Sequence, residues 1–144
     1  MAKTHIERTL AELAGNFLVA GQLCLRGYVA SLASKNYPEI DIFYFNPKNR
    51  KHAAIQVQTI RDDNSYFISE DVDKSKHLFV FVRINSDESV EFYVVPAKDV
   101  ATLSAKERED YLREHRNVKK EQPRMVGIGK LALYKDRWEL LAGK

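Results

Sequence analysis

Apolar residues at Ile6, Leu10, Leu13, Phe17, Ala20 and Cys24 recur at intervals of three and four, the spacing that lines side chains along one face of an α-helix. Thr4 and Glu7, just ahead of that run, have capping-box spacing, and Gly27 after it is a natural C-terminal stop. One long helix is therefore predicted between Thr4 and Gly27. Gly15 and Gly21 interrupt the pattern and mark either a break or close packing against a sheet. Cys24 lies on the apolar face, where a lone cysteine is expected to be buried and inert.

From Tyr28 the texture changes to short runs rich in β-branched and aromatic residues, at 28–33, 40–45, 53–60, 78–84 and 91–95. Asn36-Tyr37-Pro38, Asn46-Pro47-Lys48-Asn49 and Asn85-Ser86-Asp87 supply turn chemistry between them. Such short connections predict a largely antiparallel meander. Pro96 ends the last run, and 100–116 has the charge density of a surface helix with Leu103, Tyr111 and Leu112 on its packed edge. In the tail, Ile128, Leu131, Leu133, Tyr134, Trp138, Leu140 and Leu141 carry enough apolar surface to return to the core.

A chain of 144 residues, 44% hydrophobic and 30% charged, fits one globular domain over 1–144. Cys24 is the only cysteine, which excludes an internal disulfide and points to a reducing compartment. Lys3, Glu7 and Arg8 stand where a signal peptide needs an unbroken apolar run, and no stretch reaches the length of a membrane span. A cytoplasmic protein without a membrane partner is expected. The net charge of +3 comes from 23 basic and 20 acidic residues, so charge alone does not demand nucleic acid. Local excesses occur at Lys48, Arg50 and Lys51, and at Arg113, Arg116, Lys119, Lys120 and Arg124. Each is either a solvated surface or a phosphate-contact patch. His5, His52, His77 and His115 form no metal-binding pair, and the glycines around Gly127-Ile128-Gly129-Lys130 leave too little chain for a dinucleotide unit.

Alternation along 53–60 puts Ile55 and Val57 on one face, and Ala54, Gln56 and Gln58 on the other. A hairpin closed between Asn46 and His52 brings Asp41 level with 56–58, and one residue of register decides which face it joins. These residues carry a resemblance. Gly15-Asn16-Phe17-Leu18-Val19-Ala20, Arg26-Gly27-Tyr28, Pro38-Glu39-Ile40-Asp41-Ile42 and Ile55-Gln56-Val57-Gln58-Thr59 resemble the PD-(D/E)xK nuclease superfamily, above all small bacterial members with an IQVKT-like strand. Val80-Phe81-Val82, Phe92-Tyr93-Val94-Val95-Pro96 and Arg137-Trp138-Glu139-Leu140-Leu141 extend the likeness over most of the chain.

The resemblance implies a restriction-endonuclease-like α/β core, a central mixed sheet of four or five strands flanked by helices. It also implies DNA as substrate and Mg²⁺, or Mn²⁺ in its place, as cofactor. Asp41 matches the metal-binding Asp, Gln56 the metal-binding Glu, Gln58 the Lys, and Asn16 the helix Glu that sometimes assists. Hard cations want charged oxygen ligands, and Gln56 offers only a neutral carbonyl oxygen. Gln58 cannot supply the lysine's charge, and losing one such preorganised stabiliser costs about a hundred- to a thousand-fold in rate. Lys35, Lys74 and Lys76 are candidates for a migrated lysine, while Asp62, Asp63, Glu70, Asp71 and Asp73 would repel a phosphate backbone. Two readings follow: a metal-dependent endonuclease relative with weakened or lost activity, or a pseudo-nuclease that binds nucleic acid, a protein partner or a second copy of itself. Read without the resemblance, Asp41 merely ends a strand or pairs with a base, Gln56 and Gln58 are solvent-facing, and Asn16 is an ordinary helix residue.

Overall fold

The computed structural model describes residues 4–117 and 122–142. Helix α1 spans His5–Leu25. Its capping box is formed: Thr4 Oγ1 accepts the Glu7 N–H at 3.1 Å, and the Glu7 carboxylate accepts the Thr4 N–H at 2.8 Å. At the other end Gly27 adopts a φ of 93°. The Gly27 N–H then reaches Cys24 O and the Tyr28 N–H reaches Leu23 O, both at 3.0 Å, closing the helix in a Schellman motif.

The strands are β1 Val29–Leu32, β2 Ile42–Asn46, β3 Lys51–Arg61, β4 Ser65–Ile68, β5 Leu78–Ile84, β6 Val90–Pro96 and β7 Arg124–Gly127, with helix α2 at Ala97–Glu114 between β6 and β7. A five-stranded sheet has the order β1-β2-β3-β5-β6, and β4 pairs with β7 in a separate ribbon. All five main strands fall where the sequence places them, but the expected antiparallel meander is corrected at one joint. Strands β3 and β5 run parallel, while β1-β2, β2-β3 and β5-β6 are antiparallel. The parallel pair needs a crossover, and β4 with a short 3-10 turn at Glu70–Lys74 supplies it.

Strand β3 changes partner along its length. Residues 51–55 pair with β2, whereas 55–61 pair with β5. Beyond Ile55, β2 has diverged and one edge of β3 stands open.

Alternating side chains of the sheet feed two cores, one on each face. On one face Ile42, Ile55, Val80 and Val94 meet Val19 and Leu23 of α1 and the returning tail at Trp138 and Leu141. Tyr44 donates its hydroxyl hydrogen to the Leu141 carbonyl at 2.9 Å, which fastens that tail. On the other face Phe79, Phe81 and Val95 meet Val100 of α2, Tyr66 of β4 and Val126 of β7. Among the described residues no helix is long and apolar enough to cross a membrane.

The sheet takes a different face of α1 from the one its periodicity suggests. Gly15, Val19 and Leu23 are buried, whereas Ile6, Leu10, Leu13 and Phe17 are 69%, 59%, 43% and 59% exposed, and Cys24 is exposed as well. The cause is close approach. A Cβ at Gly15 would run into Thr59 Oγ1 and lie 2.9 Å from Thr59 Cβ, so only the small-residue face of the helix can sit this near β3.

Candidate active site

The register of β2 against β3 pairs Ile42 with Ile55, which sets Asp41 opposite Gln56. The Asp41 N–H donates to the Ile55 carbonyl at 3.0 Å, so the pairing runs through this residue. Since Ile42 and Ile55 point into the α1 core, Asp41, Gln56 and Gln58 share the opposite face. One step further along, β2 is gone. There Asp41 Oδ2 accepts the Val57 N–H at 2.7 Å, satisfying an amide on the open edge of β3.

His77 enters this site without a signal in its own neighbourhood of the sequence. The parallel register pairs Gln56 with Phe79, which leaves His77, two residues earlier and on the same face, diagonal to Gln56. Its Nε2 lies 3.2 Å from Gln56 Oε1 and donates in the tautomer that carries its proton there, while its ring stacks on Phe79 at 5.3 Å. Burial pushes the Asp41 carboxyl above its usual value, with the Val57 N–H and then His77 working against that rise. Burial pushes His77 below its usual value, opposed by the charges of Glu39 and Asp41. Both shifts favour the uncharged forms.

A cleft of about 600 Å³ follows the open edge of β3, lined by Gln58, Thr59 and Arg61, by Arg8 and Glu12 of α1, and by Asn64 and Ser65 ahead of and within β4. Gln58 faces this cleft; Asp41 and Gln56 are not among its lining residues. Lys35, Lys74 and Lys76 do not line it either, and its cations are Arg8 and Arg61. Asn16 is half-buried on α1, next to Gly15, and among the described residues no hydrogen bond joins its side chain to Asp41, Gln56 or Gln58.

The basic residues divide. Lys48, Arg50 and Lys51 are exposed on the turn between β2 and β3. Arg113 is exposed in the last turn of α2, 3.2 Å from Asp110 and 3.7 Å from Glu109, and Arg116 is exposed just past the end of that helix. Lys119 and Lys120 lie outside the described residues. Arg124, expected among the phosphate contacts, is instead 3% exposed. Its guanidinium donates to Ser104 Oγ at 3.0 Å, Asp73 Oδ2 at 2.8 Å and the Ala101 carbonyl at 2.7 Å. With three of its five donors engaged and the side chain buried inside the α2–β7 contact, this guanidinium is not presented to DNA.

A hard divalent ion needs several oxygen ligands, preferably anionic ones. Asp41 has one oxygen committed to Val57, and the Gln56 oxygen is neutral and faces His77. Among the described residues no three His, Cys, Asp or Glu side chains group so as to hold a metal. The donor set does not fit a Mg²⁺ site of the nuclease kind.

No protein-family model matches the chain. No curated protein matches it either. Among solved structures the chain is similar to Archaeoglobus fulgidus Hjc, a Holliday junction resolvase from an archaeal hyperthermophile. The likeness covers 89% of this chain and 98% of that one, with a TM-score of 0.54 and 14% identity. The fold is restriction-endonuclease-like.

Proposed function

We propose that this chain is a nuclease-like protein whose phosphodiester chemistry is weakened or lost and which acts by binding DNA. The observation that carries this reading is the state of the Asp41 carboxylate. It holds the Val57 amide in a partly buried setting, beside an amide–imidazole pair, in a place where a metal site would need free anionic oxygens. Gln58 brings no charge to steady a phosphorane-like transition state, and Arg8 and Arg61 in the adjoining cleft attract phosphate without restoring a metal.

For binding, Lys48, Arg50 and Lys51 are exposed at the end of the sheet, and Arg113 and Arg116 are exposed at and just past the end of α2. Contacts of this kind read the phosphate backbone and release counterions, which makes affinity fall steeply with salt. The likeness to a Holliday junction resolvase makes branched DNA the first ligand to compare with linear duplex.

The test is cleavage and binding of supercoiled, linear and four-way-junction DNA with Mg²⁺ or Mn²⁺ across a salt series. Wild type is compared with Asp41→Asn, which keeps an acceptor for the Val57 N–H but loses the charge. The expected result is salt-sensitive binding, no metal-dependent cleavage and indifference to the substitution. Metal-dependent cleavage by wild type that Asp41→Asn abolishes would show a working site and overturn the proposal. Absence of DNA binding at low salt would overturn its second half.

A further inference from the structure

Helix α1 is apolar on two opposite sides. One side is consumed by the sheet through Gly15, Val19 and Leu23; on the other Ile6, Leu10, Leu13, Phe17 and Cys24 are exposed, and Ala20 is half-buried against the margin of the core. This second side repeats at four, three, four, three and four residues through Ile6, Leu10, Leu13, Phe17, Ala20 and Cys24. That is the alternation of a and d positions in a coiled-coil seam, narrower than the apolar face that a helix turns toward a globular core. We propose that two copies of this chain associate through this seam, with their α1 helices antiparallel.

The seam is self-complementary in one direction. An antiparallel pair with its dyad level with Gly15 sets Ile6 against Cys24 of the second copy, Leu10 against Ala20, and Leu13 against Phe17. Each of the two outer layers then joins a bulky residue to a small one, as interdigitating layers require. A parallel pair would oppose Ala20 to Ala20 and Phe17 to Phe17, leaving one thin layer beside one overfilled layer. Antiparallel helices also set their macrodipoles head to tail.

Charge points the same way. Of the residues flanking the seam at e and g positions, namely Glu7, Thr9, Ala14, Asn16, Gly21 and Leu23, only Glu7 is charged. The antiparallel pair separates the two Glu7 carboxylates by about 24 Å along the axis, at 1.5 Å per residue, whereas a parallel pair holds them at one level. Gly21, at a flanking position, has nothing within 4 Å of where its Cβ would be, so the second helix can approach closely there.

The area is adequate. With roughly 200 Å² for a large side chain, the exposed fractions of Ile6, Leu10, Leu13 and Phe17 amount to about 460 Å² per copy. Pairing would remove about 900 Å² before the rim is counted, close to the roughly 1,000 Å² expected of a specific small interface. Leu25, 82% exposed at the end of α1, adds to that rim.

Sedimentation equilibrium of the full chain tests the association, and cysteine cross-linking tests its direction. Wild type is expected at twice the 16.6 kDa chain mass, and Phe17→Glu at the chain mass with its helical circular dichroism retained. Leu133→Glu, at a residue 84% exposed elsewhere on the molecule, is expected to remain dimeric. On mild oxidation, Ile6→Cys should form a disulfide between the new thiol and Cys24 of the second copy. The two positions lie about 27 Å apart on one helix, so that bond cannot form within a chain. Wild type, whose Cys24 residues would sit at opposite ends, should not cross-link. A monomer at all concentrations, a dimer that survives both Phe17→Glu and Leu13→Glu, or a Cys24–Cys24 bond in wild type would each overturn the proposal.

Discussion

Replacing Gly15 by alanine should destabilise the protein, although alanine is much the better helix former. In an open helix interior the exchange gains about 1 kcal/mol. Here the added methyl would meet Thr59 Oγ1 and lie 2.9 Å from Thr59 Cβ and 3.1 Å from Cγ2. Carbon atoms rest at about 3.5 Å or more, so even after the hydroxyl rotates away, α1 must retreat from β3 by at least about 0.6 Å. Val19 and Leu23 retreat with it. Overpacking of this kind costs about 1–3 kcal/mol, and with the helix gain set against it we expect a net loss of up to about 2 kcal/mol, where an open site would gain. Gly21→Ala, in the same helix with nothing near its Cβ, should instead stabilise by about 0.5–1 kcal/mol. Urea unfolding of both variants in a Phe17→Glu background keeps association out of the comparison. Equal gains from the two alanines would refute the close approach.

Arg124→Met keeps an apolar stem but removes the N–H groups that Ser104 Oγ, Asp73 and the Ala101 carbonyl accept, the carbonyl keeping only the Ser104 hydroxyl hydrogen, and should lower stability by about 1–3 kcal/mol; an unchanged urea midpoint would count against it. His77 titrates lower when folded than its unfolded value of 6.5, so its stabilising contribution is complete above that pH and is lost as pH falls from there through the lower folded-state value. The loss of stability between pH 7 and pH 5 should therefore shrink in His77→Gln, and identical slopes in urea melts would dismiss the assignment. Asp41→Ala, which strands the Val57 N–H, should be less stable than Asp41→Asn by about 1 kcal/mol, readable from the same melts. Replacing Lys48, Arg50 and Lys51 together by glutamine should flatten the salt dependence of DNA binding by about 0.9 per phosphate contact removed, and an unaltered slope would take the turn out of the interface.

The sequence shows the ends of α1 clearly, because the Thr4–Glu7 box and Gly27 act within a few residues of the chain. Which side of α1 is buried is not legible in the same way. Both sides are apolar, and the choice is made by a contact with Thr59, far along the chain. Strands β4 and β7 are too short for alternation to show, and each completes itself only against the other. The parallel joint between β3 and β5 is hidden because a strand and a 3-10 turn, instead of a helix, make the crossover. In the site, Asp41 and Gln56 come together by a local hairpin register that spacing can approximate to within one residue. His77 arrives through the parallel joint, so no local pattern announces it. In the sequence Arg124 reads as one of a basic run, because Asp73, Ala101 and Ser104, which enclose it, are remote along the chain.

The partner change along β3 bears on how an aspartate at this position is to be understood in any chain with the same divided sheet. Where two strands part, the departing one strands an amide, and a carboxylate one residue before β2 is well placed to receive its hydrogen. Folding alone thus gives a reason for an aspartate at position 41 beside the neutral Gln56 and Gln58. An acid at the parting of the strands is a record of architecture first, and testifies to hydrolysis only in company.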